Sequence, residues 1–138
     1  MIIIILILAI ILFILSLIHF NWARGGIWGF ENALPTNEKG ERILNPRKID
    51  SLIVGLGLLG FAFFYLHLSS LLTLAIFELI MHYLKWIIPS IFMLRAIGDF
   101  RYVGLFKKVK NTKFGRFDTY YFTPLCIIIV MLGLLIAY

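Results

Sequence analysis

The residues able to do chemistry are few in this chain, and they cluster. His19 and Trp22 stand three apart where a long apolar run ends, and Trp28 and Glu31 follow. The stretch Arg95-Ala-Ile-Gly-Asp-Phe-Arg-Tyr-Val-Gly-Leu-Phe106 interrupts the apolar text with Arg95, Gly98, Asp99, Arg101 and Gly104, then leads into Lys107, Lys108 and Lys110. Arg116 and Asp118 precede the last apolar run. Histidine titrates near neutrality and suits acid–base work. Arginine's planar fork suits an anionic head group. If the preceding helix continues through Arg95, Asp99 is its i,i+4 partner, while Gly98 and Gly104 permit turns or close packing. His19, Trp22, Trp28, Glu31, Arg95, Asp99, Arg101, Arg116 and Asp118 together form the candidate ligand-binding set.

Glu78, His82 and Lys85 make a second polar set at i, i+4, i+7, on one helical face. Inside a bilayer each charge costs about 2.5–3.5 kcal/mol on insertion scales. Two readings stay open. In one, the helix starts near Ile76, so that Glu78 is interfacial and Lys85 pairs with it or reaches the headgroups. In the other, the three residues form a buried proton or ion relay.

Several chemistries lack their signatures. His19, His67 and His82 are scattered, and neither HxxxH nor HExxH occurs, so no metal is expected. No serine-hydrolase elbow, Walker loop or haem motif is present, no cofactor is implied, and the reading leans away from an enzyme. Cys126 is the single cysteine, which excludes an intramolecular disulfide and a CxxC pair; it reads as a small packing residue. Gly55-Leu-Gly57-Leu-Leu-Gly60 matches the dinucleotide fingerprint in form only, because that motif needs a βαβ unit around it. Ser51, Gly55 and Ala62 instead recur on one helical face and suggest a close helix–helix contact.

The elements that carry these residues follow from composition. Hydrophobic residues make up 62% and charged residues 14%, far from the roughly 45–50% and 25% of a soluble domain. Runs of about 20 apolar residues are long enough to cross a membrane. Helices are expected over about 1–23, 46–68, 74–98 and 119–138, as a single integral membrane domain. The first run lacks a basic leader and a small-x-small cleavage site, so it reads as a transmembrane helix and not a signal peptide. Asn45-Pro46 is expected to start the second helix. Pro89 should kink the third, and Asp118 or Thr119 should cap the fourth.

Charge then orients the bundle. All thirteen basic residues except Lys85 lie in or beside the segments 24–48 and 95–118. The positive-inside rule places both loops in the cytoplasm and both termini outside. The fold class is therefore all-α, a four-transmembrane-helix bundle in the cell (plasma) membrane. Basic patches alone are only an electrostatic footprint, and with no soluble domain to present them no nucleic-acid partner is expected.

The blocks His19-x-x-Trp22-x-x-Gly25-Gly26-x-Trp28-Gly29, Leu34-Pro35, Arg95-Ala-Ile-Gly-Asp99-Phe-Arg101-Tyr-Val-Gly104 and Arg116-x-Asp118-Thr-x-Tyr121-x-x-Pro124-Leu125 resemble a family of small bacterial four-helix membrane proteins. That family is catalogued only as a domain of unknown function. The resemblance covers nearly the whole chain; it implies a membrane bundle and supplies no activity. Glu78, His82 and Lys85 lie outside the matched blocks. Three functions remain: a pocket for an amphipathic or lipid-like ligand at the cytoplasmic face, a structural or accessory membrane protein whose charged motifs anchor loops and partners, and a proton or small-solute transporter. The matching partners are the lipid bilayer, an amphipathic ligand, and a second copy of the chain or another membrane protein.

Overall fold

The structure is a computed structural model that describes residues 1–75 and 77–138. Its elements are α1 (Ile2–Ala23), α2 (Phe30–Ala33), α3 (Lys48–Leu68), α4 (Glu78–Ile97), α5 (Lys113–Phe117), a π-helical turn (Asp118–Phe122) and α6 (Thr123–Ala137). The last three run on as one rod, Lys113–Ala137. That rod, α1, α3 and α4 are each long and apolar enough to span a membrane, since about 20 helical residues cover roughly 30 Å. No strand occurs among the described residues; Thr36 and Arg42 form an isolated antiparallel bridge.

Lipid explains the distribution of apolar side chains. Ile3, Ile10, Ile53, Leu79, Leu94 and Met131 point outward and are exposed, an arrangement water would penalise. The core is narrow and lies along the bundle axis, with Leu8, Leu12, Tyr65, Ile88 and Ile129 all but fully buried.

The bundle is built as two helix pairs. α1 packs chiefly on α3, and α4 chiefly on the rod. Each pair closes on a glycine. A Cβ at Gly55 would lie 2.7 Å from the Phe20 ring, and Ser16 Oγ donates to the Gly55 carbonyl at 2.8 Å. Ser51, Gly55 and Ala62 are all buried on that seam. In the other pair a Cβ at Gly133 would lie 2.6 Å from Pro89 Cγ. Small residues let helix backbones approach where lipid removes the hydrophobic drive for association. Helix α4 continues through Pro89, whose ring is fully buried against Gly133.

Two helix starts differ from the sequence expectation. α3 begins at Lys48, with Arg47 and not Asn45 at the N-cap, because the Asp50 carboxylate accepts from the Arg47 N–H at 2.8 Å. The final rod begins at Lys113, capped by Thr112, whose hydroxyl accepts from Gly115 N–H. Asp118 is therefore inside the rod and free for another role. α4 begins at Glu78; a start near Ile76 falls outside the described residues.

The Gly55 seam yields a paired test. Gly55→Leu forces Phe20 and the α1 backbone apart and should lower stability by about 1–3 kcal/mol, as overpacked cores do. Gly57→Leu meets open space and should stay within about 0.5 kcal/mol. Thermal unfolding of the two variants in detergent separates them.

Candidate functional site

The two long connections meet at one end of the bundle. Asn37, Glu38 and Lys39 of the first border the same shallow depression as Arg101, Tyr102 and Val109 of the second. The first connection is pinned by Asn37, whose Oδ1 accepts from the N–H groups of Lys39 and Glu41, and by the exposed Arg42–Glu31 ion pair.

The second connection is organised by two glycines and an aspartate. Gly98 (φ 83°) and Gly104 (φ 89°) cross so closely that a Cβ on Gly98 would lie 1.8 Å from the Val103 carbonyl oxygen. No L side chain fits there. Asp99 Oδ1 accepts from the N–H groups of Arg101, Tyr102 and Val103 at 2.7–2.9 Å. Partial burial works against the charged carboxyl, but the N–H groups of Val103, Arg101 and Tyr102 outweigh it and hold Asp99 below the usual carboxylate range. Leu105 N–H bonds back to the Ala96 carbonyl at 2.8 Å. The loop is thereby folded onto the end of α4, and Gly104 N–H is aimed at the rod.

Its target is Asp118, which is completely buried. Oδ2 accepts from Gly104 N–H at 2.8 Å and from Lys107 Nζ at 3.0 Å; Oδ1 accepts from Arg95 Nη2 at 2.7 Å. Lys107 is itself only 4% exposed and also donates to the Gly104 carbonyl. Such a group is viable only because every charge has a partner. Arg95 and Asp99 would be i,i+4 partners only if the helix ran on, and it ends at Ile97; of the acids available to the arginines (Glu31, Asp99 and Asp118), Arg95 takes Asp118 across the helices, and Asp99 serves its own loop.

Directly beside this cluster lies a cavity of about 680 Å³ between the two helix pairs, within the range of small-molecule sites. α1 contributes Leu15, Ile18, His19 and Trp22; α3 contributes Val54 and Leu58; α4 contributes Phe92 and Arg95. The rod supplies Phe117, Tyr121, Phe122 and Leu125, and the first loop covers the end with Trp28, Asn32 and Ala33. The π turn shapes this wall. Pro124 has no N–H to offer the Tyr120 carbonyl, and Thr123 N–H bonds to the Asp118 carbonyl five residues back. Phe117 and Phe122, five apart, then both face the cavity; π turns are common at functional sites.

The cavity's polar groups sit at the loop end. His19 and Trp22 rings lie 4.8 Å apart, and Trp22 Nε1 donates to the Trp28 carbonyl at 2.7 Å. His19 Nδ1 lies 2.8 Å from the Leu15 carbonyl. A carbonyl only accepts, so Nδ1 carries the proton and Nε2 is the ring nitrogen left for chemistry. Asn32 Oδ1 and Arg95 Nη1 are buried without a partner among the described residues. Leaving such groups unpaired costs roughly 1–3 kcal/mol each.

Of the candidate residues, His19, Trp22, Trp28 and Arg95 line the cavity, and Asp118 holds Arg95. Glu31, Asp99, Arg101 and Arg116 do not line it. Arg101 stacks over Tyr102 in the loop, and Arg116 is exposed. Glu78 and His82 are exposed on α4 and Lys85 is half-buried, all away from the cavity wall. Sequence reading missed Asn32, the aromatic wall Phe92, Phe117 and Phe122, and the buried role of Lys107. Only Lys107 had a visible signal, as the first lysine after Gly104. No group of three or more His, Cys, Asp or Glu able to hold a metal occurs among the described residues.

Fold and site together define a multi-pass helical membrane protein with an apolar cavity whose polar groups gather at one end. The chain belongs to the family described as a protein of unknown function (DUF3995), matched over residues 12–135, in agreement with the resemblance carried by its sequence blocks. No curated protein and no solved structure matches it.

Two aspartates separate the scaffold from its surface. Asp118→Ala leaves Arg95 and Lys107 without their counter-charge and should cost about 3–5 kcal/mol, read as loss of folded protein in detergent. Asp99→Asn keeps an oxygen acceptor and should cost under about 1 kcal/mol. Because the Asp99 carboxyl is held low, its contribution is present above the ordinary carboxylate range and lost as pH falls through the lowered value. Asp99→Asn should therefore flatten the acid limb of Tm against pH.

Proposed function

We propose that this protein binds an amphipathic, lipid-like ligand at the cytoplasmic face of the cell membrane. One observation carries the reading: a single cavity joins His19, Trp22, Trp28 and Arg95 at the loop end to an apolar wall running into the bundle. A ligand seated there keeps its head at the membrane surface and its tail among Leu58, Phe92 and Leu125. At about 30 Å³ per atom-sized unit, the share of one water in the liquid, the volume admits roughly twenty non-hydrogen atoms. That suits a head group and much of one chain.

The orientation rests on charge. The basic residues other than Lys85 belong to the end that carries both long connections, and the positive-inside rule supports a cytoplasmic position for that end with both termini outside. A structural or accessory role has its own support in Asp99, Lys107 and Asp118, whose bonds are all internal. These residues build the scaffold; the cavity is what that scaffold leaves open. Transport through Glu78 and His82 has no comparable support, since neither borders the cavity.

Native mass spectrometry of gently solubilised protein should find a bound amphiphile, and Ala33→Phe, which projects a ring into the cavity, should release it without loss of folded protein. Wild-type protein that carries no amphiphile and acquires none from added lipid would end this reading. Orientation has a separate test. A membrane-impermeant maleimide should label Ser70→Cys on intact cells and Lys39→Cys only after permeabilisation. The reverse pattern would overturn the orientation.

A further inference from the structure

The head end of the cavity is short of negative charge. The chain has seven acidic residues, and each is accounted for elsewhere. Glu31 pairs with Arg42 and Asp50 with Arg47. Glu38 and Glu41 lie in the first connection, Glu78 opens α4, and Asp99 is bound by its own loop. Asp118 remains, and it is shared by two cations, Arg95 and Lys107. The buried cluster thus holds one more positive than negative charge, and no acidic residue lines the cavity among the described residues.

That excess has an address. Lys107 is enclosed and bonds to Asp118 and the Gly104 carbonyl. Arg95 is the member that borders the cavity, with Nη2 on Asp118 and Nη1 without an acceptor. Asn32, across the same end, also has an unpartnered oxygen, and a half-turn of its amide exchanges oxygen for N–H.

Resting on the ligand-binding reading above, we infer that the cavity selects an oxyanion head on an apolar chain, a carboxylate or a phosphate monoester, with the Arg95 guanidinium as its counter-charge. Arg95 acts as a bridge: Nη2 is fixed by Asp118, and that bond holds the guanidinium at the cavity wall. The fork geometry of arginine makes this double duty possible; a lysine ammonium is a point charge without it.

Tryptophan quenching tests the assignment. Trp22 lines the cavity and is half-buried, while Trp28 and Trp86 are exposed, so the Trp28→Phe/Trp86→Phe protein in phosphatidylcholine nanodiscs, with Trp22 as its one remaining tryptophan, reports the site. The probes are a brominated fatty acid, its methyl ester and a brominated alkyl phosphate of equal chain length. The acid, the phosphate or both should quench at concentrations at least about tenfold below the ester, as charge-assisted bonds require. Whichever acid binds more tightly identifies the head group. Arg95→Lys, which keeps a cation for Asp118, should lose the preference while still binding the ester. Equal quenching by acids and ester in the parent protein overturns the inference and leaves the pocket standing; that comparison needs no folded variant. Unchanged selectivity in Arg95→Lys overturns it as well. Absence of quenching by every probe removes the pocket itself.

Discussion

A carboxylate with no contact to solvent is the point on which the loop end of this protein turns. Asp118 joins three separate parts of the chain: Arg95 at the end of α4, Gly104 and Lys107 in the following loop, and the rod to which it belongs. Alone, each charge would be costly at that depth. Together they determine one another's positions. The consequences reach outward: α4 is tied to the rod, the glycine loop is tied to both, and Arg95 is fixed at the cavity wall.

The same division between bound and open recurs in the helices. Gly55 draws α1 onto α3, and Gly133 draws α4 onto the rod. Each pair is tight because a glycine removes the side chain that would separate it. Between the pairs, at the loop end, the space is lined with large rings, Phe92, Phe117 and Phe122 among them. Rings of this size cannot collapse into a narrow seam without leaving rotamer minima. The cavity follows from where the chain placed its glycines and where it placed its aromatics.

Much of this was legible in the sequence, for physical reasons. Four spans could be read because lipid demands long apolar runs. The Ser51–Gly55–Ala62 seam could be read because small residues at helical spacing have one main use in a membrane. That His19, Trp22 and Arg95 lie together could be read from their shared end of the bundle. Pairing could not. Arg95 had an acid four residues away in Asp99, and local spacing favoured it. The structure gives Asp99 to three backbone N–H groups because the Gly98–Gly104 crossing turns the loop back before a side-chain pair can form. Asp118 looked like a helix cap, and it became the hub because Thr112 starts the rod a turn and a half earlier. Long-range partners of this kind depend on loop geometry, which has no periodic signature.

The charges of the loop end can be sorted by what they touch. Asp99, Lys107 and Asp118 bond inward and complete the scaffold. Arg101 and Arg116 face outward, where basic residues set orientation at little structural cost. Arg95 belongs to both groups: it lines the cavity, with one nitrogen on a buried acid and its neighbour buried without an acceptor among the described residues. A side chain used only for structure would be better served by a second acceptor from its own loop, as Lys107 has in the Gly104 carbonyl. The lack of one at Arg95, beside an apolar volume large enough for a chain, is what connects the stability of this fold to the ligand chemistry we propose.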